Sequence, residues 1–517
     1  MFDVDSGDLL YRFPEINNQV LGCSFREDGK ELLVSTAGFD YVYEFPGMKL
    51  RYTVLTQNNN NYLMRTGDGY YTGSRDIVKQ LHYITQGLHT LGFQQLDIVY
   101  NRPDKVLEAV GNNDTALMQG YKRAYLKRLK KLGIDSTQLS GNTSSVPVAD
   151  IQHRSAIKYE QRNSNIKLTV SAKSEGASLK QFNIWINEVP LYGSKGLSIA
   201  SSRRTRFDTT VVVALSEGEN RIEVSVTDVS GIESYRQPLM VKYIPVRPSP
   251  KRTYFVGIGI NRFADTAYNL NWSVKDIRDL ARKVQSKYPD MQIDTLFDRS
   301  VTRENILQLK KKLAAMDIND RVIVSYSGHG VLSKQLDYYL STYDINFNKP
   351  EEKGLAYEEL ESLLDNIKPR QKVMFIDACH SGEVDKEDIQ RIEAVTKALD
   401  SLGTTTDAAN RSRIIVKKSR LGMANSFELM QNIFVNVSRG TGATIISAAG
   451  GMQYAQERGD LQNGVFTYSI IDAFNKNTTL TVSRLKQIVG ESVLRLTMGL
   501  QKPTSRTESS NFDWVIW

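Results

Sequence analysis

The chain has 517 residues, of which 66 are Lys or Arg and 58 are Asp or Glu, so its formal net charge is +8. Hydrophobic residues make up 40% and only 13 residues are prolines, which excludes disordered and collagen-like chains and predicts several domains with their own cores. No apolar run is long enough to span a membrane, and the first residues lack the basic and apolar regions of a signal peptide. The only cysteines are Cys23 and Cys379, and two cysteines so far apart in sequence cannot form a disulfide framework. We therefore expect a reducing compartment, the cytoplasm. Cys23 is expected to be a packed strand residue.

Residues 1–50 contain three β-rich segments, VLGCSF, KELLVST and DYVYEF, separated by turn residues. Their spacing resembles one blade of a WD-repeat propeller, although no second copy follows. A single blade cannot bury its own faces. The chain is therefore a fragment, or this propeller-blade-like region pairs with a separately encoded propeller or packs on the next domain.

Residues 51–150 are a mixed helical region that ends in a polar linker over 141–148. Helices are predicted over Asp76–Leu91 and Asp114–Leu132, and Gly133 is expected to end the second. Six basic residues lie along that second helix: Lys122, Arg123, Lys127, Arg128, Lys130 and Lys131. They could bind nucleic acid or an acidic partner, but such runs are more often a solvated face, here with Leu126 and Leu129 turned inward. We therefore do not expect nucleic acid as a partner.

Residues 151–247 change to a period of two. Five strands are predicted, IKLTVSA, FNIWIN, TTVVVAL, NRIEVSVTD and LMVKYI, with apolar and polar residues alternating as in half-buried antiparallel strands. The pattern predicts an immunoglobulin-like β-sandwich. Pro245, Pro248 and Pro250 mark a linker after it.

Residues 251–517 alternate apolar strands with amphipathic helices. The strands are TYFVGIGI, RVIVSYS, KVMFIDA and ATIISAAG, and the helices cover Val274–Tyr288, Tyr357–Ile367 and Val465–Phe474. This order predicts a mostly parallel sheet flanked by helices. A polar, basic segment over 383–438 interrupts the pattern as an insertion. The whole chain is thus expected to be multidomain, with a C-terminal α/β domain preceded by a β-sandwich and a mixed N-terminal region.

Two of these strands end in polar clusters, Gly328-His329-Gly330 and Cys379-His380-Ser381-Gly382. Ligands of open α/β sheets bind beyond the carboxyl ends of the strands, so both clusters should meet at one edge. A thiolate is a strong nucleophile, and a nearby imidazole can take its proton and later protonate the leaving amine. The pair His329 and Cys379 therefore predicts nucleophilic catalysis.

The motifs YSGHG and DACHSG resemble those of the caspase-like cysteine peptidases, specifically the metacaspase and bacterial caspase-like branch. The resemblance covers residues 252–517. It implies that Cys379 is the nucleophile, that His329 is the general acid and base, and that the backbone N–H groups of Gly330 and Cys379 form the oxyanion hole. Taken alone, Cys379 could be a buried core cysteine. His380 follows it in the chain and could compete with His329 as the base, but we expect His380 to be structural or to line the pocket.

The resemblance also implies an acidic pocket for the substrate residue before the scissile bond, formed by Asp276 and Asp377. Caspases themselves have Gln where this chain has Asp377. Two carboxylates near the nucleophile would attract Arg or Lys and repel Asp. Asp276 could instead be an ordinary exposed helix carboxylate.

No metal or cofactor is expected, with calcium as the alternative. Several metacaspases are activated by calcium through clustered acidic residues, and Asp344, Asp385, Glu387 and Asp388 are the candidates here. Acidic loop residues are more often simply solvated.

The sequence therefore predicts a cytoplasmic endopeptidase that cleaves protein or peptide substrates after Arg or Lys, with a regulatory protein partner possible at its N-terminal regions. The alternative is a catalytically inert scaffold that binds partners through its β domains. The insertion contains many basic residues within reach of the tethered protease, so self-cleavage within residues 386–420 is also predicted.

Overall fold

The computed structural model describes residues 1–517 except 2, 27, 58–60, 85–89, 140–145, 200–203, 336, 381–440, 449–455 and 508–512. The side chains of residues 75, 76, 94, 116, 138, 379, 380, 506 and 507 also lie outside the description. The chain divides into two compact units. One contains residues 1–147, 174–177 and 227–235, and the other contains residues 148–173, 178–226 and 236–517.

The first unit begins with a six-stranded antiparallel sheet in which each strand pairs with the next along the chain. Its strands are β1 (Val20–Phe25), β2 (Glu31–Thr36), β3 (Asp40–Glu44), β4 (Lys49–Gln57), β5 (Asn61–Thr66) and β6 (Tyr71–Gly73). The sheet thus continues past residue 50. The prediction that Cys23 packs is wrong, because β1 is an edge strand whose six residues are all exposed.

Short elements follow the sheet: α1 (Arg75–Val78), β7 (His82–Ile84), β8 (Thr90–Gly92), α2 (Phe93–Tyr100), α3 (Pro103–Val110) and α4 (Thr115–Leu132). The helix predicted over Asp76–Leu91 ends at Val78, and the prediction is wrong at His82–Ile84 and Thr90–Gly92, which are strands. Aromatic and β-branched residues such as Tyr83 and Ile84 favour extended backbone, and β7 pairs with β8.

Helix α4 and its end are predicted correctly, since Gly133 follows it in the left-handed conformation at φ 68°. Leu129 is buried, as predicted, but Leu126 is exposed. Arg128 is buried and forms an ion pair with Asp97. The basic run therefore does not lie on one solvated face.

The second unit opens with two packed sheets. Their strands are β9 (Val148–Ile151), β10 (Glu160–Gln161), β11 (Asn165–Lys173), β12 (Leu179–Ile186), β13 (Val189–Pro190), β14 (Leu197–Ser198), β15 (Arg206–Ala214), β16 (Gly218–Asp228) and β17 (Leu239–Tyr243). One sheet has the order β15-β11-β9, and the other has β10-β17-β16-β12-β13 with β14 beside β12. Alternate residues of β11 and β16, including Leu168 and Val224, share one core, as expected of a β-sandwich.

The rest of this unit is a mixed sheet in the order β19-β18-β20-β23-β24-β27, with β21 beside β20 and β22 beside β21. Its strands are β18 (Thr253–Gly259), β19 (Gln292–Phe297), β20 (Arg321–Leu332), β21 (Tyr338–Leu340), β22 (Leu355–Ala356), β23 (Gln371–His380), β24 (Thr444–Ser447) and β27 (Thr504–Thr507). A separate hairpin contains β25 (Glu457–Arg458) and β26 (Asn463–Gly464). The five strands from β19 to β24 are mutually parallel, as predicted.

In the described part of this domain, five helices cover the two faces of the sheet: α5 (Ser273–Lys287), α6 (Arg303–Ala314), α7 (Tyr357–Ser362), α8 (Val465–Lys476) and α9 (Val482–Leu496). Successive residues of a strand point to opposite faces. Val322 and Val324 accordingly pack with α6 and α7, whereas Ile323 packs with α5, α8 and α9. The predicted fold class, a flanked α/β domain preceded by β-rich regions, is confirmed.

None of the described helices combines the length and apolarity needed to cross a membrane. The insertion predicted at 383–438, with its self-cleavage region, lies outside the described residues, as does most of the predicted linker over 141–148.

Candidate active site

The parallel pairing of β20 with β23 brings the two sequence motifs together. His329 and Cys379 are partners in the register of these neighbouring strands, and Gly330 pairs with His380. Adjacent strands lie about 4.8 Å apart, so residues far apart in sequence become neighbours at the carboxyl end of the sheet. The backbone therefore places the predicted nucleophile beside the predicted base.

His329 is held firmly through its backbone and its ring. Its N–H donates to Ser341 Oγ at 3.1 Å, and its carbonyl accepts from the Ser341 N–H at 2.9 Å. Its ring Nε2 lies 2.8 Å from the carbonyl oxygen of Tyr268. A carbonyl only accepts, so Nε2 carries the proton and Nδ1 is left as the nitrogen that can act as a base.

Burial determines the protonation state of this imidazole. The side chain is buried, and desolvation lowers the pKa of His329 to about 4, against a small opposing effect of the Tyr268 carbonyl. At neutral pH the ring is therefore neutral, which is the form that can accept a proton from a thiol.

Asp276 and Asp377 also come together, both close to the position that a β-carbon of Gly464 would occupy. A β-carbon built on Gly464 would lie 2.6 Å from Asp377 Oδ2 and 3.1 Å from Asp276 Oδ2. Asp276 reaches this point from the first turn of α5 and Asp377 from β23. Both side chains are buried, so Asp276 is not an exposed helix carboxylate.

Neutral donors hold both carboxylates in place. Asp276 accepts from Asn463 Nδ2 at 2.8 Å and the Gly464 N–H at 3.0 Å through Oδ1, and from Ser327 Oγ at 3.2 Å through Oδ2. Asp377 Oδ2 accepts from the hydroxyl of Thr467 at 2.6 Å and its N–H at 3.2 Å.

The pKa values of both carboxyl groups are raised. Desolvation is the main cause in each case, and for Asp276 the nearby charge of Asp377 adds to it. The pKa of Asp276 is raised well above its usual range and that of Asp377 to about 6. A cation entering here would relieve this unfavourable burial of negative charge.

A third carboxylate, Glu457, was missed by the sequence reasoning. It lies on β25 and accepts from the N–H groups of Trp272 at 3.2 Å and Asn271 at 3.4 Å, just before α5. Desolvation raises its pKa to about 7, and the charge of Asp377 adds to the shift. Its two-residue strand and isolated position in the sequence gave no periodic signal. Ser327, which donates to Asp276, was also missed, although it lies in the YSGHG motif and could have been identified from it.

Gly330, a predicted oxyanion donor, lies inside β20 and pairs with both β21 and β23. A β-carbon at this position would collide with the Tyr338 hydroxyl, which explains the glycine. Its role and that of the Cys379 N–H remain predictions.

The calcium candidates are not gathered in the described residues. Asp344 forms an ion pair with Lys353 at 2.8 Å, while Asp385, Glu387 and Asp388 lie outside the description. The described residues contain no group of three or more His, Cys, Asp or Glu side chains arranged to hold a metal ion.

Comparison with protein families agrees with this architecture. Residues 255–512 match the peptidase C14 family, whose description is caspase domain. A crystal structure of a Geobacter sulfurreducens protein is similar at 19% identity and a TM-score of 0.34, over 51% of this chain and 93% of that one. No curated protein matches the chain. Through its C-terminal domain, the chain belongs to the caspase-like cysteine peptidase family.

Proposed function

We propose that the chain is a cysteine endopeptidase that cleaves proteins or peptides after Arg or Lys through Cys379 and His329. The observation that carries this proposal is the pair of buried carboxylates, Asp276 and Asp377, around Gly464, in the same domain as the in-register His329 and Cys379. The match to the caspase domain supports the reaction class.

In the proposed reaction, Nδ1 of His329 accepts the thiol proton of Cys379. The thiolate attacks the substrate carbonyl carbon, forming a carbon–sulfur bond and an oxyanion. The backbone N–H groups of Gly330 and Cys379 would stabilise that oxyanion. As the intermediate collapses, the imidazolium gives its proton to the leaving amine. Water then hydrolyses the thioester, and the thiol is regenerated.

The electrostatics of the pocket favour a basic residue before the scissile bond. Each buried carboxylate gains its missing counter-charge when a guanidinium or ammonium group enters, and a substrate carboxylate would add a further buried like charge. Arg has the geometry to bridge two carboxylates at once, because its planar group donates several hydrogen bonds. Glu457 adds negative charge to the same pocket.

The remaining features of the proposal rest on the sequence. The enzyme would act in the cytoplasm without a cofactor, its N-terminal regions would receive a regulatory partner, and it would cut itself within residues 386–420. Intact masses of the wild type and Cys379→Ala, incubated side by side, test the last point. A wild-type chain that stays whole while it cuts peptides would exclude self-cleavage from the mechanism.

The test of the main proposal is a peptide-library cleavage profile of the wild type, Cys379→Ala and His329→Ala. We expect cuts after Arg and Lys by the wild type and none by Cys379→Ala. His329→Ala should lose orders of magnitude in rate, because base and nucleophile act as a unit. Equal activity in the wild type and Cys379→Ala would overturn the proposal, and a folded wild type that cuts nothing would favour the inert scaffold.

A further inference from the structure

Three aromatic rings surround the imidazole of His329. We call them the aromatic cluster: Phe263 and Tyr268 in the loop after β18, and Phe347 in the loop after β21. Their ring centroids lie 5.3, 6.5 and 5.6 Å from that of the imidazole, respectively. The rings of Tyr268 and Phe347 stand nearly perpendicular to the imidazole, both at 84°.

Phe347 is the member that joins the cluster together. Its ring stacks face to face on that of Tyr268, with centroids 3.6 Å apart and planes 6° apart. It also meets Phe263 edge-on at 5.5 Å. Tyr268 in turn supplies the carbonyl that accepts from His329 Nε2. Phe347 therefore touches both the imidazole and the residue that orients it.

The loop that carries Phe347 is well anchored. At its start, the hydroxyl of Thr342 donates to the Lys353 carbonyl at 3.0 Å, and the Tyr343 N–H donates to the Val301 carbonyl at 2.8 Å. The Tyr343 carbonyl accepts from the N–H of Ala264, in the loop that carries Tyr268, at 2.9 Å. The two loops are thus joined, and the stacked pair of rings is fixed between them.

We propose that Phe347 is a positioning residue for catalysis: through its stack on Tyr268 and its edge contact with His329, it holds the imidazole in the orientation and the dry surroundings that a neutral base requires. This inference rests on the proposed peptidase function. Phe347 carries no group that reacts, and its effect passes through Tyr268 and His329.

The titratable groups next to the His329 imidazole are consistent with a role of the aromatic rings in setting its pKa. On the loop side the titratable neighbour of the imidazole is the Tyr268 phenol, whose pKa burial raises above its ordinary value. On the strand side the register partner is Cys379. Within the described part of the chain, His329 forms no ion pair with a carboxylate, so desolvation by surrounding groups such as the aromatic cluster sets its low pKa.

The test is Phe347→Leu, with Phe347→Tyr as the conservative variant. We expect Phe347→Leu to lower kcat about 10-fold or more with little change in KM, since small misplacements of catalytic groups are costly. The acid limb of its pH profile should move to higher pH as water reaches the ring. Phe347→Tyr keeps the stack and should restore both.

A second readout does not depend on activity. NMR titration of labelled histidine in the Cys379→Ala background, with the signal assigned by His329→Gln, should give a higher imidazole pKa in Phe347→Leu than in the parent. Tyr288→Leu, which removes a half-buried aromatic ring at the far end of α5, is the matched control and should leave this pKa unchanged.

The outcomes separate the two proposals. If the wild type cuts no Arg or Lys substrate, the proposed function fails, and the NMR titration still decides the role of Phe347. Unchanged kcat and unchanged imidazole pKa in a folded Phe347→Leu would overturn the positioning role. If Phe347→Leu does not fold, Phe347→Met, which fills more of the space, is measured against the same criteria.

Discussion

Asp377 is a buried carboxylate whose ionised form lowers the stability of the folded domain. It accepts hydrogen bonds from Thr467, lies with Asp276 beside Gly464, and has a pKa raised to about 6. Because the folded-state pKa lies above the ordinary value of 3.8, its contribution to stability is full below about pH 4 and is lost as the pH rises through about 6. At neutral pH the ionised group therefore costs the folded state free energy.

Asp377→Asn should accordingly raise stability while it removes activity. Above pH 7 the variant avoids burying one negative charge, which we expect to stabilise the domain by on the order of 1–3 kcal/mol and to raise its melting temperature. Cleavage after Arg should fall by about 2 kcal/mol or more in transition-state stabilisation. Calorimetry and kcat/KM on one sample test both. The control is Asp472→Asn, which breaks a surface ion pair with Lys476. An Asp377→Asn variant less stable than the wild type would contradict the argument.

The pH dependence of substrate binding follows from the same raised pKa values. As the pH falls through about 7 and then about 6, Glu457 and Asp377 gain protons and the pocket loses negative charge. The KM for Arg substrates should therefore rise between pH 7.5 and 5.5. The imidazole of His329 does not titrate in this window, because its pKa is about 4.

Measured KM profiles of the wild type and Glu457→Gln test this assignment. The variant should lose the part of the change near pH 7 and keep the part near pH 6. A neutral substrate analogue with citrulline in place of Arg is the control and should show no comparable change. Profiles that are identical for both enzymes would remove Glu457 from the pocket.

Among the elements, the hairpin of β25 and β26 and the start of α8 complete the proposed acidic pocket. Asn463 and Gly464 donate hydrogen bonds to Asp276, and Thr467 donates to Asp377. Glu457 accepts from the Trp272 N–H, just before α5. Gly464 precedes α8 at φ −59° and ψ 138°, a conformation open to any residue. Its small size is therefore explained by the carboxylates beside it and not by its backbone.

Gly464→Ala should consequently block the pocket without disturbing the fold. The added methyl group would lie 2.6 Å from Asp377 Oδ2, so a carboxylate must shift and a guanidinium would lose its place. We expect KM for Arg substrates to rise about 10-fold or more, at an almost unchanged melting temperature. Gly490→Ala, in α9 with open space around it, should keep full activity and gain about 0.5–1 kcal/mol of stability. Equal KM values in the two variants would refute the steric argument.

The elements also mark what the sequence could and could not predict. The long apolar strands β20 and β23 end in polar motifs, and this pattern alone predicts that His329, Cys379 and Asp377 lie at one sheet edge. The hairpin of β25 and β26 could not be predicted from the sequence, because strands of two residues show no periodicity. Its hydrogen-bond partner Asp276 is also far away in the chain. The aromatic cluster was missed for the same reason, since Phe347 and Tyr268 meet only through tertiary packing between loops.

At the scale of the second unit, the β-sandwich and the α/β domain share a polar contact built around Arg370. This residue immediately precedes β23, the strand of Asp377 and Cys379, and only 2% of it is exposed. Its guanidinium donates to Asn220 Oδ1 at 2.7 Å, to Ser216 Oγ at 3.4 Å and to the Ala214 carbonyl, all in the sandwich. These acceptors are neutral, and burial lowers the pKa of Arg370 to about 9.

Arg370→Ala should loosen the sandwich from the α/β domain. The variant loses hydrogen bonds from a charged donor, which costs on the order of 1.5–3 kcal/mol, and it leaves the Ala214 carbonyl without that donor.

Limited proteolysis of the linker between the two domains tests this prediction. The linker over residues 246–252 is exposed and contains three trypsin sites, Arg247, Lys251 and Arg252. In the Cys379→Ala background, which excludes any cleavage by the chain itself, we expect trypsin to cut this linker faster and the melting temperature to fall. Arg206→Ala removes an exposed arginine of the same sandwich and should change neither. If trypsin cuts the two variants at the same rate, the Arg370 contact does not hold the domains together. The sandwich must then be held by its remaining contacts with the α/β domain, such as the hydrogen bond that the Glu217 N–H donates to Asn319 Oδ1 at 2.8 Å.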